Sequence, residues 1–413
     1  MNLRMIKAPT LVAVIVVLTL FSDNARAGKV IHTFGGRDGC GPWGDLIADA
    51  AGNLYGTTLN GGGNPGQGVI FQLTPPVPPN TDWTENIVHR FAGKLDGAAP
   101  SGQLVVDGNG NLYGTTQAGG AFGLGTAWEL APQPGGGWTG TVLYSFFGVN
   151  GAQPVGGLVM DAGGNLYGTT LGGGANGGFG TVFELSPPPQ PGLPWTETVL
   201  HSFTGGYDGN APVGGVISDQ TGNLYGTTQV GGAFNGGAVF QLSPPVAGGA
   251  WTLTVLHSFK AKPGVSAAPR ASLTITAAGA LIGTTSQGGP GQHGTVFGLR
   301  PPPVPGGPWG YQTLHSFQGF PDDGSDPESS LAVVGGRIYG TTMQGGAGAG
   351  TIFRLSRDAG PGMSLTETVL HSFSGGVDGS SPRAGMLFLD GSLYGTTSAG
   401  GNINCGTVFR LGN

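Results

Sequence analysis

The chain has 413 residues, of which 86 are Gly and 31 Pro, with only 9% charged residues and a formal net charge of −6. Without periodicity that much Gly and Pro would mark a low-complexity chain, but here the glycines recur at fixed places and read as tight turns. No basic stripe is present, so the electrostatic footprint of nucleic-acid binding is missing and no nucleic-acid partner is expected.

The N-terminus comes first. Arg4 and Lys7 precede a mostly apolar run over 8–21, and Ala25-Arg26-Ala27 supplies a small-x-small cleavage site before Gly28. That run is short against the roughly 20 residues that span a bilayer. Residues 1–27 are therefore predicted to be a cleaved signal peptide, leaving no membrane span. No Cys lies near the cut to take a lipid, and the sequence ends at Asn413 without a hydrophobic tail. The expectation is a secreted or periplasmic protein, released as a monomer.

A strand-like segment at 30–34, Val-Ile-His-Thr-Phe, follows on its own. Then a repeat begins. YGTT starts at Tyr55, Tyr113, Tyr167, Tyr225, Tyr339 and Tyr394, with IGTT at Ile282, a spacing of about 56 residues that is close to kelch length and longer than WD40. Around it the same parts return in order. A short apolar run precedes it, as in Leu158-Val159-Met160. Gly-Gly comes two residues after it, then a GTVFEL-like run, a Pro/Gly-rich spacer, and WTETVLHSF or a variant ending at Phe91, Phe146, Phe203, Phe259, Phe317 or Phe373.

Each unit thus reads as four short strands rich in Val, Thr, Phe and Tyr and bounded by turn residues. Asp-x-x-Gly-Asn, as at Asp161 to Asn165, supplies the turn between the first two. Four-stranded units repeated around an axis make a propeller. The fold class expected is all-β, a seven-bladed β-propeller over 28–413, with repeats near 44–91, 102–146, 156–203, 214–259, 270–317, 329–373 and 385–411. The last unit has only three strands, and 30–34 matches the missing fourth. The N-terminal strand is therefore predicted to complete the last blade and close the ring; an open solenoid would leave both ends bare.

The combination of LYGTT, Gly-Gly, GTVFEL and VLHSF resembles the GloVer tandem repeat of exported bacterial proteins, over about 29–413. The resemblance implies an exported, propeller-like protein. It carries no catalytic residues to transfer. The sequence departs from many such proteins in lacking a C-terminal sorting tail.

Six of the seven histidines occupy one repeat position: His32, His89, His201, His257, His315 and His371, with Tyr144 in the remaining unit. Equivalent positions lie far apart around a ring, whereas metal ligands converge on one ion within about 2 Å. They read as hydrogen-bonded residues at blade interfaces, and His293 as a loop residue with no partner in view. The loop after each fourth strand carries Asp38, Asp96, Asn150, Asp208, Asp323 or Asp378 ahead of Gly-x-x-Pro, while the unit at 265–269 lacks both the polar residue and the Gly. One carboxylate per loop is too few for calcium. The denser group Asp322, Asp323, Asp326 and Glu328 has no calcium-loop spacing. No metal and no cofactor are expected.

Adjacent His and Ser in VLHSF point to opposite faces of a strand, so they cannot act as base and nucleophile. Two functional readings stand. One is a non-catalytic binding or scaffold module for an extracytoplasmic polysaccharide or a secreted or surface protein. The other is a carbohydrate-active enzyme on the same fold, which would need two acids about 5–10 Å apart in a deep pocket. Phe122, Phe179 and Phe234, in the loops between second and third strands of three consecutive blades, are the candidate ligand-binding residues. Cys40 and Cys405, the only cysteines, are expected to form a disulfide in an oxidising compartment. They would join the two ends of the closed ring.

Mass spectrometry of protein exported from bacteria should find Gly28 at the N-terminus. An intact 1–27 segment would refute the cleaved signal.

Overall fold

The computed structural model describes residues 28–412 except 191, 247, 261–266, 305 and 358–364. The segment read as a signal peptide lies outside the described residues. The regular structure of the rest is almost entirely β, arranged as seven antiparallel blades in a ring and joined by turns and loops. Blade three shows the pattern: Val159–Met160 lies innermost, followed by Leu166–Thr170, Thr181–Ser186 and Thr196–Ser202 at the outer edge. In the seventh blade, Leu387–Leu389, Ser392–Thr397 and Thr407–Gly412 are joined by Lys29–Thr33 as the outermost strand. Lys29 pairs with Arg410 and Thr33 with Thr407, so the predicted closure is present.

Each letter of YGTT has a physical reason. The Gly pairs across the strands with an aromatic residue of the GTVFEL-like run: Gly56 with Phe71, Gly114 with Trp128, Gly168 with Phe183, and so through Gly395 with Phe409. The far end of the ring sits over it. A Cβ at any of these seven glycines would sit 2.4–2.7 Å from the aromatic ring, closer than any side chain tolerates.

In the first four blades the Tyr hydroxyl reaches back to the turn aspartate, as Tyr167 to Asp161 at 3.0 Å and Tyr225 to Asp219 at 3.0 Å. That aspartate also accepts from the Asn that ends the turn, Asn165 Nδ2 to Asp161 at 2.9 Å. Slight burial works against ionisation of Asp49, Asp107, Asp161 and Asp219, but these hydrogen bonds outweigh it and hold each carboxyl below its usual range. In the same contacts, burial and then the Asp49 bond push the Tyr55 hydroxyl up to about 12.

The two threonines divide their work. In blades two to six the first bonds the next blade, as Thr169 Oγ1 to the Gly214 carbonyl at 2.9 Å and Thr227 Oγ1 to that of Ala271 at 3.2 Å. The second is fully buried and bonds within its own blade, as Thr170 with Thr181 at 2.8 Å.

Blades hold one another through aromatic rings. The Phe ending each fourth strand packs on the aromatic residue of the next blade's third strand: Phe34 on Phe71, Phe91 on Trp128, Phe146 on Phe183, Phe203 on Phe240, Phe259 on Phe297, Phe317 on Phe353 and Phe373 on Phe409. Centroids are 5.0–5.7 Å apart, within the range where such pairs attract beyond simple burial. A second set joins Tyr55 to Trp138, Tyr113 to Trp195, Tyr167 to Trp251, Tyr225 to Trp309 and Tyr394 to Trp83. Every fourth strand also carries a bulge just before its histidine or Tyr144, skipping Ile31, Val88, Leu143, Leu200, Leu256, Leu314 and Leu370 from the ladder. A bulge re-aims side chains, and these apolar residues pack into the clusters between blades.

Cys40 and Cys405 form a disulfide, with Cα atoms 4.3 Å apart. It joins the loop after the closing strand to the loop before Thr407–Gly412, beside the hydrogen bond from Gly41 N to the Cys405 carbonyl at 2.9 Å. It therefore reinforces the same junction that the sheet closes. A crosslink over so long a loop contributes at most about 6 kcal/mol by chain entropy.

Replacing both cysteines by Ser should lower the melting temperature measured by calorimetry. Deleting 28–36 should lower it further, because it also strips the outer strand from the last blade. A deletion variant melting with the parent would contradict this account of closure.

Candidate functional site

The loops between second and third strands and those leading from each fourth strand to the next blade share one face. Gly120 N bonds the Lys94 carbonyl, Gly174 N that of Gly148, and Gly401 N that of Gly376. Near the axis this face is closed by backbone. A Cβ on Gly44 would lie 2.6 Å from the Gly102 carbonyl oxygen, one on Gly102 2.5 Å from that of Gly156, and one on Gly156 2.4 Å from Gly215 N. Only a dish of about 80 Å³ remains at the mouth.

The residue after each loop proline faces that mouth: Trp43, Ser101, Val155, Val213, Arg270, Glu328 and Arg383. The last three are charged and interlocked. Glu328 Oε1 accepts from Arg270 at 2.5 Å and Oε2 from Arg383 at 2.7 Å. The Arg383 guanidinium lies 4.1 Å from the Trp43 ring centre. Beside them Asp45 accepts from Ser330 Oγ and Gly385 N, and burial pushes its carboxyl up. The acidic group seen in the sequence is thus dispersed. Asp323 turns to His315 and Glu328 to the two arginines. Burial and the neighbouring Glu328 charge push Asp326 up.

At the junction of blades four and five lies a cavity of about 850 Å³. Tyr207, Phe234, His257, Lys260 and Tyr311 line it, together with the hydroxyls of Ser258, Thr285, Thr313 and Ser316. No carboxylate is among its lining residues. His257 stacks on Tyr311 with centroids 4.0 Å apart, and burial lowers its pKa. Lys260 Nζ lies 5.8 Å from the Phe234 ring centre. This junction is the one whose loop lacks the repeat's Asp and Gly; residues 261–266 of that loop lie outside the described residues.

The three candidate phenylalanines are not equivalent in place. Phe122 and Phe234 each follow Gly-Gly-Ala and are 62% and 52% exposed. Phe122 packs against the exposed Phe147 at 5.7 Å. Phe179 occupies a different register, pairing with Gly173 as Leu124 pairs with Gly119 and Gln67 with Gly61. It is half-buried, and its ring covers the Cα positions of Gly177 and Gly205. Asn176 holds the place that Phe122 and Phe234 hold in their blades. The loops leading to the next blade add further exposed apolar tips: Leu95, Val149, Tyr207, Phe320 and Val377.

The repeat histidines do lie at blade junctions, and two of them are hydrogen-bonded to the following loop. His89 is 3.2 Å from Asp96 and His201 3.0 Å from Asp208. The neighbouring serine turns elsewhere: Ser202 Oγ accepts from Ala175 N and Ser258 Oγ from Ala233 N. His293 has a partner that the sequence did not reveal, Ser325 Oγ at 3.1 Å. The axial charged array was also missed. Its signal was one column of the repeat, the residue after each loop proline, which is charged in three successive units.

Fold and face together define a tandem-repeat propeller of seven near-equivalent blades with its ring latched by its own N-terminal strand. The chain belongs to the Gloeobacter/Verrucomicrobia repeat family, whose profile matches residues 16–216 and 222–413. No curated protein matches it. Among solved structures it is similar to a Thermus thermophilus protein provisionally named an oxidoreductase (glucose dehydrogenase), at 16% identity and TM-score 0.46, covering 94% of this chain and 100% of that one. A Dyadobacter fermentans protein of unknown function is similar at 12% identity and TM-score 0.47, covering 94% and 98%. PorZ, a surface component of the type-IX secretion system of Porphyromonas gingivalis, is similar at 14% identity and TM-score 0.43 over 85% of this chain and 45% of that one. At such identities no function transfers. Among the described residues no helix is long and apolar enough to cross a membrane.

Glu328→Ala should destabilise the fold by about 1–2 kcal/mol in denaturant unfolding, since it removes the carboxylate that both partly exposed arginines bond. Ser101→Ala on the same rim should cost far less. Equal costs would mean that the axial ion pairs contribute nothing.

Proposed function

We propose that the protein is a non-catalytic, extracytoplasmic binding module that takes a polysaccharide segment on the loop face, seated in the cavity between blades four and five. The composition of that cavity carries the reading. Aromatic faces from Tyr207, Phe234 and Tyr311 suit the apolar side of a sugar ring, and the surrounding hydroxyls and Lys260 suit its hydroxyl groups. The cavity lining offers no carboxylate pair of the kind glycoside hydrolysis uses. The exposed Phe122 and its neighbour Phe147 extend the same face as a second platform. Phe179 supports the loop between them. Secretion through a cleaved signal peptide belongs to the same reading.

A glycan array run beside a generic glycosidase assay tests it. Binding of soluble polysaccharide without turnover supports the module, whereas released sugar would identify an enzyme. Capture of a secreted protein in place of any glycan would redirect the face to a protein partner. For the bound glycan, Phe234→Ala should weaken affinity by more than about 1 kcal/mol, the scale of one aromatic contact. Replacing Phe122, Phe179 and Phe234 together should weaken it further. Unchanged affinity in the triple variant would remove the proposed site.

A further inference from the structure

The blade junctions that hold the repeat histidines are not alike. At each one, the neighbouring blade presents the residue that pairs with the leucine of its own third strand. That residue is Gly140 beside His89, Leu253 in the blade after His201, and Tyr311 beside His257. At two junctions it is a glutamate facing a histidine. His315 Nε2 lies 3.6 Å from Asp323 Oδ2 and 3.7 Å from Glu367 Oε2. His32 Nε2 lies 3.3 Å from Asp38 Oδ2 and 3.6 Å from Glu85 Oε1. In each triad all three donor atoms fall within 4.8 Å of one another.

These separations have a chemical meaning. Ligands bonded to a tetrahedral zinc ion at about 2.0–2.2 Å stand roughly 3.4 Å apart. Two further observations point into the triads. Four donor atoms, His32 Nε2, Glu85 Oε1, His315 Nε2 and Glu367 Oε1, are sealed from solvent with no hydrogen-bond partner. Native proteins rarely leave such groups unmet. The carboxylates are also crowded. Asp323 and Glu367 both lie within 3.7 Å of His315 Nε2, and Asp38 and Glu85 both lie within 3.6 Å of His32 Nε2. A cation placed among these atoms would satisfy all of them at once.

We propose that His32–Asp38–Glu85 and His315–Asp323–Glu367 are two inter-blade binding sites for a divalent ion of the zinc class, each with water completing the coordination. Imidazole with two carboxylates suits zinc better than calcium, which takes six to eight oxygens. Each site joins a fourth strand, the loop after it and the neighbouring blade's fourth strand. One of them therefore fastens the closing strand to blade one. The third glutamate-bearing junction is a natural control. Around Glu197, whose Oε1 is likewise buried without a partner, Oε2 meets the Tyr144 hydroxyl at 3.4 Å and the Asn150 amide at 3.2 Å, neutral donors without an imidazole or second carboxylate.

The test uses the mature protein stripped with EDTA and titrated with zinc chloride by calorimetry, with thermal melts in parallel. Two ions per chain at micromolar affinity or tighter are expected, with a higher melting temperature that returns to its starting value on adding EDTA. Glu85→Gln and Glu367→Gln should each weaken one site at least tenfold, and the double variant should bind neither ion. Glu197→Gln should keep both. His32→Gln and His315→Gln give a second pair of variants if a glutamine substitution disturbs the fold. Fewer than two ions bound by the wild-type protein, or two ions retained by the double variants, would overturn the proposal.

Discussion

The structure depends on one contact made seven times: an aromatic ring of the third strand lying on a glycine of the second. Because that glycine has no Cβ, the far end of the ring can sit over it, and the phenylalanine of the previous blade's fourth strand meets the same ring. Intra-blade and inter-blade packing thus share the same side chain. A propeller is a sum of near-identical units and nearest-neighbour interfaces, and here both terms pass through one ring per blade. The invariance of the Gly in YGTT across all seven units follows from this, while the Phe above it can be Trp128 in blade two without loss.

The same repetition made most of the fold legible. Strand count, blade count and the closing role of residues 30–34 could be read because every unit states the same pattern, and turn residues such as Asp161 and Asn165 act locally. What stayed hidden was of two kinds. The bulge before each histidine inserts a residue without altering composition, so nothing in the text marks it. Long-range pairings were hidden because their partners sit in the next repeat: Glu367 meets His315 only once two blades are docked. Phe179 shows a subtler failure. It stands among the same glycines as Phe122 and Phe234, yet a longer Gly-rich insertion moves it to the register of Leu124. Proximity in the text then stands for a different place in space.

Departures from the repeat are where this molecule becomes individual. A residue present in all seven units serves the ring, and substitution there answers to packing. Positions free to vary include the residue after the loop proline and the neighbour facing each histidine. The variants that appear at these positions are not scattered. Charges gather at Arg270, Glu328 and Arg383 in consecutive blades, and aromatic residues gather around the junction of blades four and five. Sequences that obey one rule everywhere and break it in a cluster commonly do so at a site of use.

The N-terminal latch has a further consequence for the order of events in a growing chain. The earliest strand of the ring is the last to find its place, because its partner Thr407–Gly412 is made only after every other blade strand. Until then both the orphan strand and the open flank of the unfinished ring are bare edges, the kind that recruit strands from other molecules. The sheet itself does not distinguish a chain's own first strand from an identical one on a neighbour, so crowded, half-made rings have strand exchange built into their geometry. The Cys40–Cys405 bond then acts as a record of the choice. Formed within one chain it seals a single ring, and formed between two it ties exchanged rings into a covalent pair.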